Sequence, residues 1–225
     1  VTTTTADLWY HYGRTRAATD RGVPEAFRWS WGQDSGPGPE ILGALTGRIV
    51  GDLGAGSARH AAYLAAHRRP ARIDAIDSSP AQCDMGTSLY GHLAPRLRVM
   101  RSDVIAHLRT AVGVYDALYS VFGAIDFTDP RKLLPAAAAS LRPGGRLVFA
   151  TLSTYLNGEP AQPDVDPADI PARRPGGEPA TMPRWVLQEQ VWTKLLDHAG
   201  FTRINVDVLP GSPETLLVTA HRAPG

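Results

Sequence analysis

Three carboxylates and a pair of glycines are the residues of this chain whose types and spacing could do chemistry. In RIVGDLGAGSARH, Asp52 stands just before Gly54 and Gly56. Asp77 closes RIDAID, 21 positions after Gly56, and Asp103 closes RVMRSD. Glycine has no Cβ and accepts positive φ, so backbone at such a turn comes close to a ligand. The unpaired N–H groups at the start of a following helix then face that ligand. An acid roughly 20 residues beyond the glycines is placed to accept both hydroxyls of a ribose. The chemistry this pattern points to is the holding of a nucleoside-bearing molecule.

The elements around these residues must bring them to one edge. Strand-type runs at 48–53, 72–77, 97–101, 115–122 and 146–151 alternate with helical stretches at 57–67, 80–93, 104–111 and 130–141. Ser79 and Pro80 are a good cap and first residue for the helix at 80–93. This alternation predicts crossover units and a parallel sheet, whose ligands bind beyond the carboxyl ends of the strands. A helix at 186–199, stopped by Gly200, precedes two strand-type runs at 202–209 and 215–221 joined by PGSPE, which predicts an antiparallel hairpin. Upstream, residues 5–20 have helical spacing with Thr4 or Thr5 as cap, and 39–46 read as a short helix.

The fold class expected is α/β: a Rossmann-like, doubly wound, mostly parallel seven-stranded sheet with a C-terminal antiparallel hairpin and an N-terminal helical and aromatic cover. Residues 1–225 read as a single domain, with the cover at 1–46, the binding core at 47–151, a flap at 152–185 and a terminal helix and hairpin at 186–225. Prolines at 160, 163, 167, 171, 175, 179 and 183 exclude a helix or a central strand from the flap. Long excursions of this kind are often lids.

Composition excludes several function classes. With 23 basic and 22 acidic residues and no block of one sign, neither a nucleic-acid groove nor a polybasic membrane patch is indicated. Cys83 is the sole cysteine, so an internal disulfide and a cysteine zinc cluster are both excluded and no metal is expected. No apolar run approaches the ~20 residues of a membrane span, and the N-terminal stretch lacks the apolar core of a signal peptide. The expectation is a cytoplasmic protein, monomer or homodimer, whose partner is a small molecule.

Two ligands suit the glycine turn: a dinucleotide and S-adenosylmethionine. The dinucleotide pattern needs a third glycine where Arg59 stands. Asp52 would confront a pyrophosphate with negative charge, whereas it would help an ammonium. Asp103 can accept from an adenine amino group. The terminal hairpin replaces a second mononucleotide half.

At this point the chain resembles a class I S-adenosylmethionine-dependent methyltransferase. GDLGAGSAR is similar to that family's first motif, IDAIDSSPAQ to its second-strand acid and helix, and RSDV to its third-strand motif. YDALYSVFGAIDF resembles its fourth strand, LRPGGRLVFA its loop and fifth strand, and HAGF the end of its last helix. Ala58 stands where the first motif often has a third glycine. SVFGAID replaces the Asn/Asp-Pro-Pro-aromatic motif of adenine and glutamine N-methyltransferases, which argues against nucleic-acid bases as acceptors. The resemblance is to the small-molecule branch, of the kind found in bacterial secondary metabolism and antibiotic biosynthesis.

The resemblance implies residue roles. Gly54 and Gly56, with Ala55 between them, hold the methionine part, and Asp52 helps hold its ammonium. Asp77 takes the ribose hydroxyls with Ser78 beside the adenine, and Asp103 and Val104 bind adenine. Ser120 lines the methyl-donor end, and Tyr12 or Arg16 closes over the cofactor carboxylate. The expected substrate walls are Trp9, Phe27, Trp29 and Trp31 from the cover, Phe122 and Ile125 after the fourth strand, and Tyr155 and Trp185 from the flap. His11 and Tyr12, in the aromatic cover, are the candidate catalytic groups. Two other readings remain open: a nicotinamide-dependent reductase, which predicts binding of NAD(P), and a non-catalytic partner subunit, which predicts binding of neither cofactor.

Overall fold

The computed structural model describes residues 7–19 and 22–224. Its centre is strand β1 (Ile49–Leu53), buried from Val50 onward. Strand β2 (Arg72–Asp77) runs parallel to it on one side, and β3 (Leu97–Arg101) runs parallel to β2 beyond. On the other side β4 (Tyr115–Val121) and then β5 (Leu141–Leu152) continue the parallel sheet. A hairpin of β8 (Phe201–Leu209) and β9 (Thr215–Arg222) completes it, with β9 antiparallel to β5. The sheet has seven strands in the order β3-β2-β1-β4-β5-β9-β8. The order reverses between β1 and β4, so the ligand crevice of such a sheet falls at the carboxyl ends of those two strands.

Both faces are covered, as near-continuous apolar strands require. One face packs Leu53, Ile76, Leu118 and Phe149 under α4 (Val104–Thr110), α6 (Pro130–Ser140) and α7 (Glu189–His198). The other packs Val50, Ile73, Tyr119 and Val148 against α2 (Arg59–His67), α3 (Pro80–Tyr90) and the segment carrying Phe27, Trp29, Leu42 and Leu45. Ser79 caps α3, its hydroxyl accepting from the Gln82 N–H at 3.2 Å, as its position before Pro80 predicts. No helix among the described residues is long and apolar enough to cross a membrane.

Three local expectations change. The helix expected over 5–20 is confined to α1 (Arg14–Thr19); residues 8–13 are turns, and Gly13 at φ +70° breaks the helical run. The expected caps Thr4 and Thr5 lie outside the described residues, as does the Arg16 side chain. The proline-spaced stretch carries an ordered hairpin, β6 (Ala168–Arg173) and β7 (Pro179–Arg184), separate from the main sheet. Prolines are tolerated there because a two-stranded ribbon has only edges. The short helix expected over 39–46 is a 3-10 turn confined to Pro39–Leu42, and a one-turn helix, α5 (Ala124–Phe127), follows β4.

Candidate functional site

The glycine turn is built as its composition demands. Gly54 sits at φ +74° and Gly56 at φ +54°. The Gly54 and Ala55 N–H groups donate to the Ile76 carbonyl at 2.9 and 3.0 Å, which pins the turn to the end of β2. A Cβ on Gly54 would stand 2.2 Å from the Ala124 nitrogen and 2.8 Å from the Gly123 carbonyl carbon. Both are backbone atoms at the start of α5, just after β4, so the ends of β1 and β4 meet through this glycine. Gly54→Ala is therefore expected to destabilise the fold by about 2 kcal/mol or more, combining left-handed strain with a clash that no side chain can relieve. Urea unfolding of the variant checks it.

Asp77 closes the turn from the other side. Its Oδ2 accepts from the Gly56 N–H and its Oδ1 from the Ser79 N–H, both at 2.8 Å. Burial pushes this carboxyl up, and the backbone donors pull it back. Asp52 lies at the floor, its Oδ2 accepting from the Tyr119 hydroxyl at 2.8 Å. Burial lifts its pKa to about 7, against the pull of that hydroxyl and with some help from the charge of Asp77. Asp103 is exposed and caps α4, accepting from the Ala106 N–H at 2.8 Å. Cys83 is buried with its thiol pushed up to about 11 by desolvation, so it is inert.

These groups line one cleft of about 1030 Å³. Asp52, Gly54, Ala55, Gly56, Asp77, Ser78, Asp103 and Val104 all border it. So do His11, Tyr12, Trp9, Trp31 and Phe122. The other expected residues do not. Ser120 is fully buried, its hydroxyl donating to the Leu53 carbonyl at 2.7 Å, and it stitches β4 to β1. Phe27 and Trp29 face the core; Trp29 can bury completely because its indole N–H reaches the Gly38 carbonyl at 2.9 Å. Ile125, Tyr155 and Trp185 are likewise core residues, Tyr155 donating its hydroxyl to the Arg184 carbonyl.

Two covers roof the cleft. The N-terminal one is tied down by Gln82, whose amide donates to the carbonyls of Trp9 and Tyr12 at 2.8 and 2.9 Å. Asp7 adds to this, its Oδ2 accepting from the Ser79 hydroxyl and the Ala81 N–H. The second cover is the β6–β7 hairpin, which contributes Ile170, Pro171, Met182 and Arg184. The covers touch where His11 Nε2 donates to the Arg174 carbonyl at 3.0 Å, and Trp9 meets Phe127 of α5 edge-on at 4.6 Å. Tyr12, at the mouth of the cleft, is 62 % exposed.

Sequence reasoning missed Tyr119, Gln82, Phe127 and Arg184. Tyr119 had a usable signal, since it is the register partner of Asp52 once β1 and β4 are neighbours. Arg184 had none; its partner Asp126 is 58 positions away. Phe122, at φ +48°, is a bulky residue in the left-handed region, and its ring stands edge-on to Trp31 at 5.0 Å inside the cleft. Strain of this kind concentrates at ligand sites. No group of three or more His, Cys, Asp or Glu that could hold a metal ion stands among the described residues.

Residues 50–145 match a family model described as a methyltransferase domain. No curated protein matches the chain. Among solved structures, an S-adenosylmethionine-dependent methyltransferase from Mesorhizobium loti is 17 % identical, with a TM-score of 0.61 over 81 % of this chain and 94 % of that one. The 1,6-didemethyltoxoflavin-N1-methyltransferase of Burkholderia thailandensis, solved with 1,6-didemethyltoxoflavin and S-adenosylhomocysteine, is 19 % identical, with a TM-score of 0.54 over 82 % and 77 %. The [4+2]-cyclase SpnF is 16 % identical, with a TM-score of 0.63 over 80 % and 77 %. The sheet has the same fold as these solved structures, and the family model spans it from Val50 in β1 to the loop before Arg146.

Proposed function

We propose that this chain is a class I S-adenosylmethionine-dependent methyltransferase, a reading supported by the methyltransferase-domain match and the shared fold, and that it methylates a small, flat, largely apolar metabolite held against Trp9, Trp31 and Phe122. The observation that carries the reading is that one cleft of about 1030 Å³ has an acid-and-glycine end and an aromatic end. Sites for a single small molecule run to roughly 300–1,000 Å³, so this one has room for a cofactor and an acceptor together. A nucleoside with an amino-acid tail suits the polar end. Asp77 would take the ribose hydroxyls, Ser78, Asp103 and Val104 would border the adenine, and the Gly54–Gly56 backbone with Asp52 would face the amino-acid tail. When bound, S-adenosylmethionine supplies a sulfonium methyl already activated for in-line displacement.

The work left to the protein is alignment and the exclusion of water, and positioning alone can supply roughly 7–11 kcal/mol of a bimolecular barrier. The two covers and the wall residues Trp9, Trp31 and Phe122 do this work. His11 is, among the described residues, the one titratable group of the N-terminal cover that both lines the cleft and ties to the hairpin. Its role in this reading is to hold the roof shut, with Tyr12 beside it at the mouth of the cleft. The chain acts as one unit of cover, core, flap and terminal hairpin, in a reducing cytoplasm that suits the lone Cys83. Incubation with S-adenosylmethionine and a panel of flat aromatic amines, phenols and indoles, read by mass spectrometry, is expected to yield products one methyl heavier. Turnover confined to nucleic acid or protein substrates would contradict the reading.

Asp52 makes the binding pH-dependent. Without ligand its carboxyl holds a proton up to about pH 7. A bound ammonium favours the carboxylate, so binding releases that proton. Affinity for S-adenosylhomocysteine is expected to rise from pH 5 to pH 7 and level above it. Stability of the free protein moves the opposite way. Between the unfolded value of 3.8 and about 7 the folded state holds the extra proton, so this contribution to stability is lost as pH rises through that window. Titration calorimetry in two buffers of different ionisation enthalpy detects the released proton, and Asp52→Asn should flatten the affinity profile.

A further inference from the structure

Arg184, at the end of β7, is the one cation buried in the acceptor end of the cleft among the described residues. It is 3 % exposed, yet it borders the cavity. Its Nε and Nη2 both donate to Asp126 Oδ2, at 3.2 and 2.6 Å, and Asp126 is fully buried on α5. The guanidinium carbon lies 5.6 Å from the Trp31 ring centroid and 5.2 Å from that of Phe127. Ion pair and rings together fix the plane of the group. Its third nitrogen, Nη1, donates to nothing among the described residues and is not one of the sealed polar atoms of the core. A fixed donor at the wall of an apolar cavity makes a strong demand on whatever fills that cavity, because leaving it dry and unpaired costs about 1–3 kcal/mol.

We infer that Arg184 is the specificity-determining residue of the acceptor site, and that Nη1 receives a neutral oxygen, carbonyl or phenolic, carried on the flat ring system of the substrate. This rests on the reading of the aromatic end as the acceptor site. The neutrality follows from Asp126. Its charge cancels that of Arg184, so the pair offers directed N–H groups but no net attraction for an anion, and a carboxylate would meet the Asp126 charge a few ångströms behind the guanidinium. The oxygen also sets the orientation of the ring, since one edge is held at Arg184 while the ring lies against the edge-on pair of Trp31 and Phe122. Substrates of the same outline without that oxygen would strand Nη1, and a site that hydrogen-bonds a substrate group rejects analogues lacking it far better than an apolar pocket rejects a missing methylene.

The test uses three probes of similar outline: chromone, with a ring carbonyl; naphthalene, without oxygen; and 1-naphthoate, with a carboxylate. Binding to the full chain saturated with S-adenosylhomocysteine is read by quenching of the cleft tryptophans. Chromone is expected to bind about tenfold more tightly than naphthalene, and 1-naphthoate no more tightly than chromone. Arg184→Met should abolish the preference for chromone. This variant keeps its fold because Asp126, unlike an arginine, can neutralise itself by taking up a proton. Asp126→Asn keeps a carbonyl acceptor for the guanidinium but removes the negative charge, and it should make 1-naphthoate the tightest of the three. Equal binding of chromone and naphthalene to the unmodified protein, a preference that survives Arg184→Met, or an unchanged rank of 1-naphthoate in Asp126→Asn would overturn the inference. Binding of S-adenosylhomocysteine is measured first. Its absence would sink the reading of the cleft itself, whereas its presence without probe discrimination sinks the role of Arg184 alone.

Discussion

Replacing Asp77 by alanine is expected to weaken S-adenosylhomocysteine binding by about 100-fold. A carboxylate accepting two ribose hydroxyls makes two charge-assisted hydrogen bonds, each worth roughly 1.5–3 kcal/mol, and about 3 kcal/mol corresponds to a factor of about 100. The variant also loses the acceptor that ties the Gly56 N–H to the Ser79 N–H, so the turn itself slackens. Asp77→Asn separates the two effects. Its amide oxygen can still accept from Gly56, while the charge is gone, and a loss of about tenfold is expected. Calorimetric titration of both variants, with melting curves to establish folding, checks the pair. If Asp77→Ala bound the ligand as tightly as the unmodified chain, the carboxylate would be a cap for the turn and nothing more.

The second large effect is on stability. Asp126→Ala should lower it by about 3–5 kcal/mol, because it leaves the Arg184 guanidinium buried without its counter-charge. For a domain of this size that is a fall in melting temperature of roughly 6–20 °C. Arg184→Met should cost less. Asp126 is already pushed up by burial and pulled down by the arginine, so once the arginine goes it protonates and sheds its charge. The double replacement, Asp126→Leu with Arg184→Met, should recover most of the loss, since two apolar groups of similar size pack without desolvating a charge. Thermal and urea unfolding of the three variants would show this order. An Asp126→Ala protein as stable as the unmodified chain would mean that Arg184 finds water, and that the hairpin cover is looser than its contacts with Trp31 and Phe127 imply.

Local chemistry is what the amino-acid sequence makes legible in this protein. Asp52, Gly54, Gly56 and Asp77 belong to one strand-turn-helix-strand unit, and the demands of a tight turn leave a trace in residue type. The sheet is legible for the same reason, because buried parallel strands and their crossover helices each carry their own period. The side on which an aromatic residue packs is not legible. Phe27, Trp29 and Trp31 have the same aromatic character, yet the Gly38 carbonyl lets Trp29 into the core while a turn aims Trp31 at the cleft. The hairpin of residues 168–184 is hidden by its prolines, which rule out a central strand but not a ribbon of two edges. The Asp126–Arg184 pair joins segments 58 positions apart, and no spacing rule links a one-turn helix to the end of a ribbon. The helix expected at the N-terminus falls to one glycine, Gly13, in a conformation that a run of helical spacing does not reveal.

The central claim is that a single cleft seats an adenosyl cofactor on Asp77 and presents its sulfur to the aromatic end. A crystal structure of the chain grown with S-adenosylhomocysteine tests it most directly. Ribose hydroxyls are expected on the Asp77 carboxylate, the amino-acid tail over the Gly54–Gly56 turn toward Asp52, and the sulfur facing Trp31 and Phe122. A ligand bound elsewhere, or one in this cleft with its ribose away from Asp77 and its sulfur turned from those rings, would contradict it.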